Sequence, residues 1–258
     1  MHHHLQDEGR YQTPLTDECH HYKSKAEVPW DLQKYFSQRY SIFSWYDEGV
    51  RLTDDAWFGV TPEPLANKVA DEMYHTDASK RVLIDMFGGA GGNTIAFALS
   101  ARWDRVISVE RDAATLACAQ HNAELYEVDE YITWIHGDCF EYLAKLRDAS
   151  DDLAEELRVD MAETVVFASP PWGGPGYSTA EIFDLSQMEP YTLQQLHDAC
   201  KPMDHALYLP RTSDLRQIAK LAPEGEKLEV VQYCMEGASK AMVAFIPGTL
   251  SPPTLKSQ

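Results

Sequence analysis

The sequence predicts an α/β fold in which a mostly parallel seven-stranded sheet with an antiparallel edge strand follows a helical N-terminal extension. Two observations support this prediction. From residue 81 onward, short apolar segments alternate with segments of helical spacing, and such alternation produces parallel strands joined by right-handed crossovers. The last two apolar segments are separated only by the short string EGAS, which is typical of an antiparallel hairpin at one edge.

Composition limits the class of protein. The net charge of −19 argues against broad binding to a phosphate backbone, although it allows a local basic pocket. The five cysteines are scattered, odd in number and without a CxxC pair, which predicts a reducing compartment and neither disulfides nor a metal site. No apolar run approaches the roughly 20 residues of a membrane helix, so we expect no membrane association.

The first 78 residues are predicted to form a tail and a helical extension. Residues 1–28 are polar and without period; we interpret them as a tail that includes an expression-tag remnant at 2–4. In residues 29–78, the spacing of apolar side chains predicts one helix over 30–43. Thr61 as N-cap, with Pro62 at the first helical position, predicts a second helix that ends near His75.

Residues 79–250 are predicted to form the core, followed by a tail at 251–258. An acidic stretch at 147–163 holds seven carboxylates and two arginines, and we expect a solvated helical insertion or loop there. The predicted strands are 81–86, 105–110, 131–138, 164–169, 205–210, 227–235 and 240–247. The predicted helices are 93–101, 113–126, 140–146, 192–200 and 213–221.

A glycine-rich loop, VLIDMFGGAGGNT, joins the first predicted strand to its helix. Glycines at 88, 89, 91 and 92 allow the backbone to approach a ligand closely, but their spacing is not GxGxxG. Asp85 before the loop would repel a pyrophosphate and attract an amine. Glu110 and Asp138 end the next two strands, where they could bind ribose hydroxyls and an exocyclic amine. This arrangement favours S-adenosylmethionine over the alternative of an ordinary turn with three strand-end carboxylates.

A second unusual string, SPPWGGPGY, follows the fourth predicted strand at residues 169–177. Its prolines restrict the backbone, so that a carbonyl and the Ser169 hydroxyl could receive a planar amine. Trp172 offers a flat face on which a base can stack, and a cationic base such as 7-methylguanine would add a cation–π interaction. The alternative is a proline-rich turn with a core tryptophan.

Together with WFGVTPE and DMFGGAGGNT, this string resembles the motifs of a known enzyme family. A serine, aspartate or asparagine before PP and an aromatic residue resembles class I methyltransferases that act on planar nitrogens. The three strings in combination resemble the trimethylguanosine synthase family of RNA cap hypermethylases. The resemblance implies a Rossmann-like class I fold and two methyl transfers to the N2 amine of a 7-methylguanosine cap on small nuclear and nucleolar RNAs, giving 2,2,7-trimethylguanosine.

The resemblance also implies location and partners. We expect a nuclear and nucleolar protein, with the cytoplasm as a further compartment. We expect capped RNA and ribonucleoprotein proteins as partners, and a monomer. Where the family has serine, aspartate and asparagine, this chain has Gly59, Gly176 and Thr212, which puts secondary contacts in doubt.

Site residues carried over from the family fall into two groups. The cofactor group lies in the extension, the glycine loop and the strand ends: Phe43, Thr61, Asp85, Gly89, Gly91, Glu110 and Asp138. The cap group places the base on Trp172 and the phosphates near basic or hydroxyl side chains: Trp172, Ser169, Pro170, Asn122, Lys34, Tyr177 and Arg211. For Lys34, a solvated lysine on a helix face is an equally good interpretation.

Two other functions stay open at this point. One is another amino-methyltransferase, acting on adenine N6 or a protein glutamine; such enzymes more often have Asp or Asn before PPY. The other is a cap-binding protein without turnover. For the main hypothesis we expect direct transfer without a covalent enzyme intermediate, with Gly173 and Gly174 leaving room for a methyl group already added.

Overall fold

The computed structural model describes residues 6–7, 12–173 and 175–250. The predicted tag at 2–4, the tail at 251–258 and Gly174 lie outside the described residues. Within the described part of the chain, no helix is both long enough and apolar enough to cross a membrane.

Strands and helices alternate from Val82 onward, as the sequence predicts. The strands are β1 Gln6–Asp7, β2 Val82–Asp85, β3 Arg105–Glu110, β4 Ile132–His136, β5 Thr164–Ala168, β6 Asp204–Pro210, β7 Glu229–Met235 and β8 Ala238–Ile246. The helices are α1 Gln33–Phe36, α2 Arg39–Ile42, α3 Ala56–Gly59, α4 Glu63–Tyr74, α5 Gly92–Leu99, α6 Ala113–Leu125, α7 Cys139–Asp148, α8 Leu193–Cys200 and α9 Leu215–Ala219.

The contacts divide the chain into two compact units. The first comprises the described residues of 1–76 and 87–139. In it β3 and β4 pair in parallel, and the short β1 pairs with β4 in the antiparallel sense. The rings of Phe36, Tyr46 and Trp57 lie with their centroids 5.9–6.3 Å apart and form the buried centre of the extension.

The second unit comprises 77–86 and the described residues of 140–258. Its strands follow the order β2-β5-β6-β8-β7. Both pairs among β2, β5 and β6 are parallel, whereas β6/β8 and β8/β7 are antiparallel. The predicted edge hairpin is confirmed: Glu236 and Gly237 both have positive φ (52° and 76°), which suits a tight hairpin turn. All five residues of β5 are buried, as expected of a central parallel strand.

The helix predicted over 30–43 is wrong as a single element. A 3-10 turn at Trp30–Leu32 leads into α1, and α2 begins separately at Arg39. The Ser37 hydroxyl donates to the Gln33 carbonyl oxygen at 2.8 Å, and such a side-chain bond competes with the helical ladder. Phe43 then has extended backbone angles (φ −136°, ψ 113°), so that the chain turns out of helical geometry at this residue.

The start of α4 also differs from the prediction. Pro62 is the N-cap, with extended backbone angles, and Thr61 lies one residue outside the helix. The Thr61 hydroxyl accepts a hydrogen bond from the Asn93 amide at 3.0 Å instead of capping. The sequence therefore identified the helix but gave the capping role to the wrong residue.

Part of the predicted tail, residues 12–28, is folded. His20 and Leu52 form an antiparallel bridge, with both N–H···O distances close to 3 Å. Cys19 is buried, and its thiol donates to the Ala114 carbonyl oxygen at 3.3 Å. The acidic stretch is a loop, as predicted, with short 3-10 turns, and Leu153 and Leu157 are buried within it.

Asn122 on α6 holds two loops of the first unit together. Its side chain is 0% exposed. The amide oxygen accepts from the Arg51 N–H, and the amide nitrogen donates to the carbonyl oxygens of Arg51 and Ala90, each at 2.9 Å. Every bond replaces one to water, so removal of the amide would leave buried backbone groups without partners.

We predict that Asn122→Ala lowers the free energy of unfolding by about 2–4 kcal/mol, because several buried backbone groups lose their partner. Urea unfolding followed by circular dichroism measures the change. Glu124→Ala on the exposed face of the same helix is the control and should change stability by less than about 0.5 kcal/mol. Equal stabilities of the Asn122 variant and the wild type would contradict this role.

Candidate active site

The glycine loop before α5 needs glycine at particular positions. Gly89 and Gly91 have φ of +55° and +97°, a region that side chains with a Cβ seldom adopt. At Gly88 a Cβ would overlap the Ser108 hydroxyl, and at Gly92 it would lie 3.2 Å from the Thr61 carbonyl oxygen. The loop is therefore a backbone cradle that packs against the protein at Gly88 and Gly92 and is open at Gly89, where a Cβ would meet no atom within 4 Å.

The carboxylate of Glu110, the last residue of β3, is bonded to this cradle. One oxygen accepts from the Gly89 N–H at 3.0 Å and the other from the Asp112 N–H at 2.9 Å. Burial raises the pKa of Glu110 above its ordinary value, while these two N–H groups act in the opposite direction. A carboxylate has about four lone-pair positions, so capacity is left for two further donors such as a diol.

Thr61 and Phe43 lie in the same unit as the cradle. Thr61 is buried and bonded to Asn93, the second residue of α5. The side-chain amide oxygen of Asn93 (Oδ1) is buried and has no partner within the described part of the chain, so it is an acceptor open to a ligand. Phe43 is buried with its ring centroid 6.1 Å from that of Tyr126, and it lines a recess that Gly92 also lines.

The strand-end acids predicted for the cofactor are found at strand ends. Asp138 follows Gly137, whose N–H donates to the Glu110 carbonyl oxygen at 3.1 Å, so the ends of β3 and β4 meet. Asp85 is the last residue of β2 in the second unit and is fully buried. Within the first unit, the structure thus brings together Gly89, Gly91, Glu110 and Asp138 with Thr61.

In the second unit, Trp172 is half-buried in an aromatic cluster. Its indole N–H donates to the Tyr208 carbonyl oxygen at 3.3 Å, and its ring is stacked on the Tyr208 ring (centroids 5.7 Å apart, 15° between planes). Tyr177 meets it edge-on at 4.8 Å and 80°. The indole is therefore fixed in orientation while part of it stays accessible.

Ser169 and Pro170 directly follow β5. Pro170 is buried and Ser169 is half-buried. The Ser169 hydroxyl has no hydrogen-bond partner among the residues that the structure describes, so it can bond to a ligand. Arg211 comes directly after β6, the strand that carries Tyr208, and its side chain is exposed. Lys34 lies on α1 in the first unit, with its ammonium group 4.8 Å from the centre of the Tyr35 ring.

One expectation about this region needs correction. Asn122 does not fit a contact with the cap base, because it is fully buried and its amide group is bonded to Arg51 and Ala90. Gly173 has a φ of +86°, so the turn itself favours glycine. The space that Gly173 is expected to leave for a methyl group stays a prediction.

Sequence reasoning missed two residues of the site, Tyr208 and Asn93. Tyr208 lies in a predicted strand, but nothing local indicates that Trp172, 36 residues away, will stack on it. Asn93 lies in the GGNT string, and its polar side chain next to the glycines was the one available signal.

Comparisons with known proteins agree with this geometry. Residues 80–249 match the family described as RNA cap guanine-N2 methyltransferase. The trimethylguanosine synthase of Schizosaccharomyces pombe is 34% identical over 221 residues, which cover 84% of this chain and 87% of that protein. The trimethylguanosine synthase of Saccharomyces cerevisiae is 32% identical over 193 residues, which cover 73% of this chain and 58% of that protein.

One solved structure shares the fold. It comes from Porphyromonas gingivalis W83 and is assigned as a methyltransferase; its TM-score is 0.56 at 16% identity, with 88% of this chain and 55% of that chain covered. This likeness supports the predicted Rossmann-like class I fold.

The family match confirms the resemblance stated from the sequence. It supports an enzyme that uses S-adenosylmethionine as methyl donor and a capped RNA as substrate. It does not favour the two alternative functions, which were methylation of adenine N6 or a protein glutamine, and cap binding without turnover. With a family model over residues 80–249 and two relatives above 30% identity, the chain belongs to the RNA cap guanine-N2 methyltransferases.

Proposed function

We propose that this enzyme methylates the N2 amine of the 7-methylguanosine cap twice, on small nuclear and nucleolar RNAs, and so produces 2,2,7-trimethylguanosine. The observation that carries the proposal is the half-buried Trp172 indole, fixed on Tyr208 directly after the rigid SPP string. An indole held in this way suits a planar cationic base, and the names of the two yeast relatives give the same product.

The first unit supplies a set of groups that fits the methyl donor. Glu110 has free lone pairs for the ribose hydroxyls, and the buried side-chain amide oxygen of Asn93 (Oδ1) can accept a bond from an amine. When bound, S-adenosylmethionine supplies an electrophilic sulfonium methyl group. The residues that we assign to its binding are Phe43, Thr61, Asp85, Gly89, Gly91, Glu110 and Asp138.

On the substrate side, three residues bind and orient the base. Trp172 holds it flat by stacking. The Ser169 hydroxyl and the Pro170 carbonyl oxygen accept hydrogen bonds from the N2 amine, whose lone pair is otherwise delocalised into the ring. Such bonds pull the amine out of conjugation and aim its lone pair, so that the enzyme acts mainly by positioning. Each transfer leaves N2 cationic and strongly acidic, so it releases one N–H proton to water, while S-adenosylhomocysteine departs as the neutral thioether. No strong base and no covalent enzyme intermediate are therefore required.

Three side chains are assigned to the cap phosphates: Lys34, Tyr177 and Arg211. Arg211 is exposed and follows the strand that carries Tyr208, and a guanidinium group can bind phosphate in bidentate fashion. Because the whole chain carries a charge of −19, these local cations restrict the protein to the capped end rather than to RNA in general.

The substrate class implies a place in the cell. We infer a nuclear and nucleolar enzyme that meets its capped RNAs as ribonucleoprotein particles and acts as a monomer. The names of the relatives support RNA processing as the setting.

The first prediction concerns the stacking surface. Trp172→Ala should lower kcat/KM for a 7-methylguanosine cap by about ten- to a thousandfold, because stacking and cation–π interactions are both lost. Methyl transfer from labelled S-adenosylmethionine, followed by nucleoside analysis, measures the change. Trp172→Phe retains an aromatic ring and should lose less. Near-wild-type activity of the alanine variant would remove the stacking role.

The second prediction concerns the charge of the base. A cap without the 7-methyl group lacks the positive charge, so its kcat/KM should be lower by about 2- to 30-fold, the range of a cation–π interaction. The comparison uses 7-methylated and unmethylated cap dinucleotides under the same conditions. Equal rates on both would contradict recognition of the cation.

The third prediction concerns Glu110. Its pKa is raised by burial, and only the carboxylate can accept bonds from both ribose hydroxyls. Affinity for S-adenosylhomocysteine should therefore fall as pH decreases from 7.5 through the raised pKa. Glu110→Gln should weaken binding about tenfold or more at pH 7.5 and flatten the pH profile. Calorimetry measures both.

Glu124→Gln is the matched control, because it makes the same chemical change on an exposed carboxylate of the same unit. It should leave both the affinity and its pH profile as in the wild type. A Glu110→Gln variant that binds the ligand normally would exclude the ribose contact.

A further inference from the structure

Trp30 is more exposed than any other large apolar side chain of the described residues, at 86%. It does not contribute to the core, because Leu32 and Phe36 of the same segment are the residues that pack inward and are almost fully buried. A single exposed aromatic residue is ordinary in a folded protein. The residues that we group with it, however, are basic and aromatic.

We group Trp30 with Lys34, Tyr35 and Phe58 and call these four residues the aromatic–basic patch. The 3-10 turn of Trp30 leads directly into α1, so Trp30 lies four residues, a little over one helical turn, before Lys34. The Lys34 ammonium group is 4.8 Å from the centre of the Tyr35 ring, and the Tyr35 and Phe58 rings meet edge-on at 5.4 Å. Phe58 is 53% exposed.

The segment that carries Trp30, Lys34 and Tyr35 has a charge opposite in sign to that of the whole chain. Segment 23–39 carries four cationic residues, Lys23, Lys25, Lys34 and Arg39, and two acidic ones, Glu27 and Asp31, in a protein of net charge −19. The Glu27 carboxylate already accepts bonds from the backbone N–H groups of Lys23 and Ser24. Exposed rings between cations complement a single-stranded nucleic acid, in which bases stack and phosphates pair with the cations.

The position of Lys34 links the patch to the substrate. This step rests on the proposed function, in which Lys34 binds the cap phosphates. The triphosphate of a cap continues directly into the first nucleotides of the RNA. An RNA that leaves Lys34 toward the beginning of α1 would meet Trp30 four residues away, about 6–8 Å along the axis of the combined 3-10 turn and helix.

We propose that the aromatic–basic patch is a binding subsite for the first unpaired nucleotides of the RNA body, with one base stacked on the Trp30 indole and a phosphate paired with Lys34. Every base offers a flat face, so the subsite tolerates any sequence but requires an unpaired 5′ end. The ligand class is single-stranded RNA joined to the cap.

Steady-state methylation by the full chain tests this, with 7-methylguanosine triphosphate as a substrate without RNA and a capped single-stranded ten-nucleotide RNA as the second substrate. Trp30→Ala should raise KM for the capped RNA about tenfold, because a stacked base is lost. It should leave KM for 7-methylguanosine triphosphate unchanged. Trp30→Tyr should restore most of the affinity for the RNA.

Tyr131→Ala is the matched control, because Tyr131 is 61% exposed in the same unit and lies outside the patch. It should leave both KM values unchanged. Fluorescence anisotropy with the same labelled RNA gives a second readout that does not need turnover, and Trp30→Ala should raise that Kd about tenfold as well.

An unchanged KM and Kd of Trp30→Ala for capped RNA would overturn the subsite. So would an equal rise in KM for both substrates, or a fall in thermal stability that places the indole in the protein's own packing. Self-association of the wild type that Trp30→Ala abolishes would assign the patch to a second copy instead. Failure of the wild type to methylate 7-methylguanosine triphosphate would instead count against the proposed function, and the anisotropy comparison would still decide on the patch.

Discussion

A planar base can be presented for methyl transfer only by a surface that keeps its own orientation, and the Trp172 indole is the surface that we propose for this role. Its orientation depends on Tyr208, which accepts the indole N–H at its carbonyl oxygen and stacks against the ring. Tyr208 is in turn fixed by β6, which pairs with β5 on one side and β8 on the other. The chain of dependence therefore runs from the sheet to Tyr208, then to the indole, and then to the base.

A second constraint acts on the cofactor side. Burial disfavours the charged form of Glu110, and the N–H groups of Gly89 and Asp112 offset part of that cost. The loop has a left-handed backbone at Gly89, the residue that donates this N–H group. Gly89 thus has two effects: it leaves space for a ligand and it donates a backbone N–H group to the carboxylate.

Patterns that are local in the sequence predicted much of this. β5 is a continuous apolar run bounded by turn residues, and such runs indicate buried parallel strands. The strand-end acids could be placed because parallel strands end at a common edge.

Features that depend on contacts between distant residues could not be predicted. Thr61 bonds to Asn93, 32 residues away, and not to its own helix. Asn122 resembles a family position assigned to the base, yet the bonds to Arg51 and Ala90 use its amide group. Between α1 and α2, Gln38 leaves helical backbone angles (φ −104°, ψ 12°), and the Gln33 carbonyl oxygen accepts both the N–H and the hydroxyl of Ser37. An apolar period does not reveal such a break.

The loop after β5 is subject to a further constraint at Gly173. Its φ of +86° favours glycine for the turn that follows Trp172, and a Cβ at this position would point toward Glu189 at ordinary contact distance. The turn would therefore favour glycine even without the space that we expect Gly173 to leave for a methyl group on the amine. Ser169, with a hydroxyl that has no partner among the described residues, adds a second small side chain next to the amine position that we propose. In that arrangement a serine would leave room for the first methyl group and would still accept the remaining N–H, so we propose that one position serves both transfers.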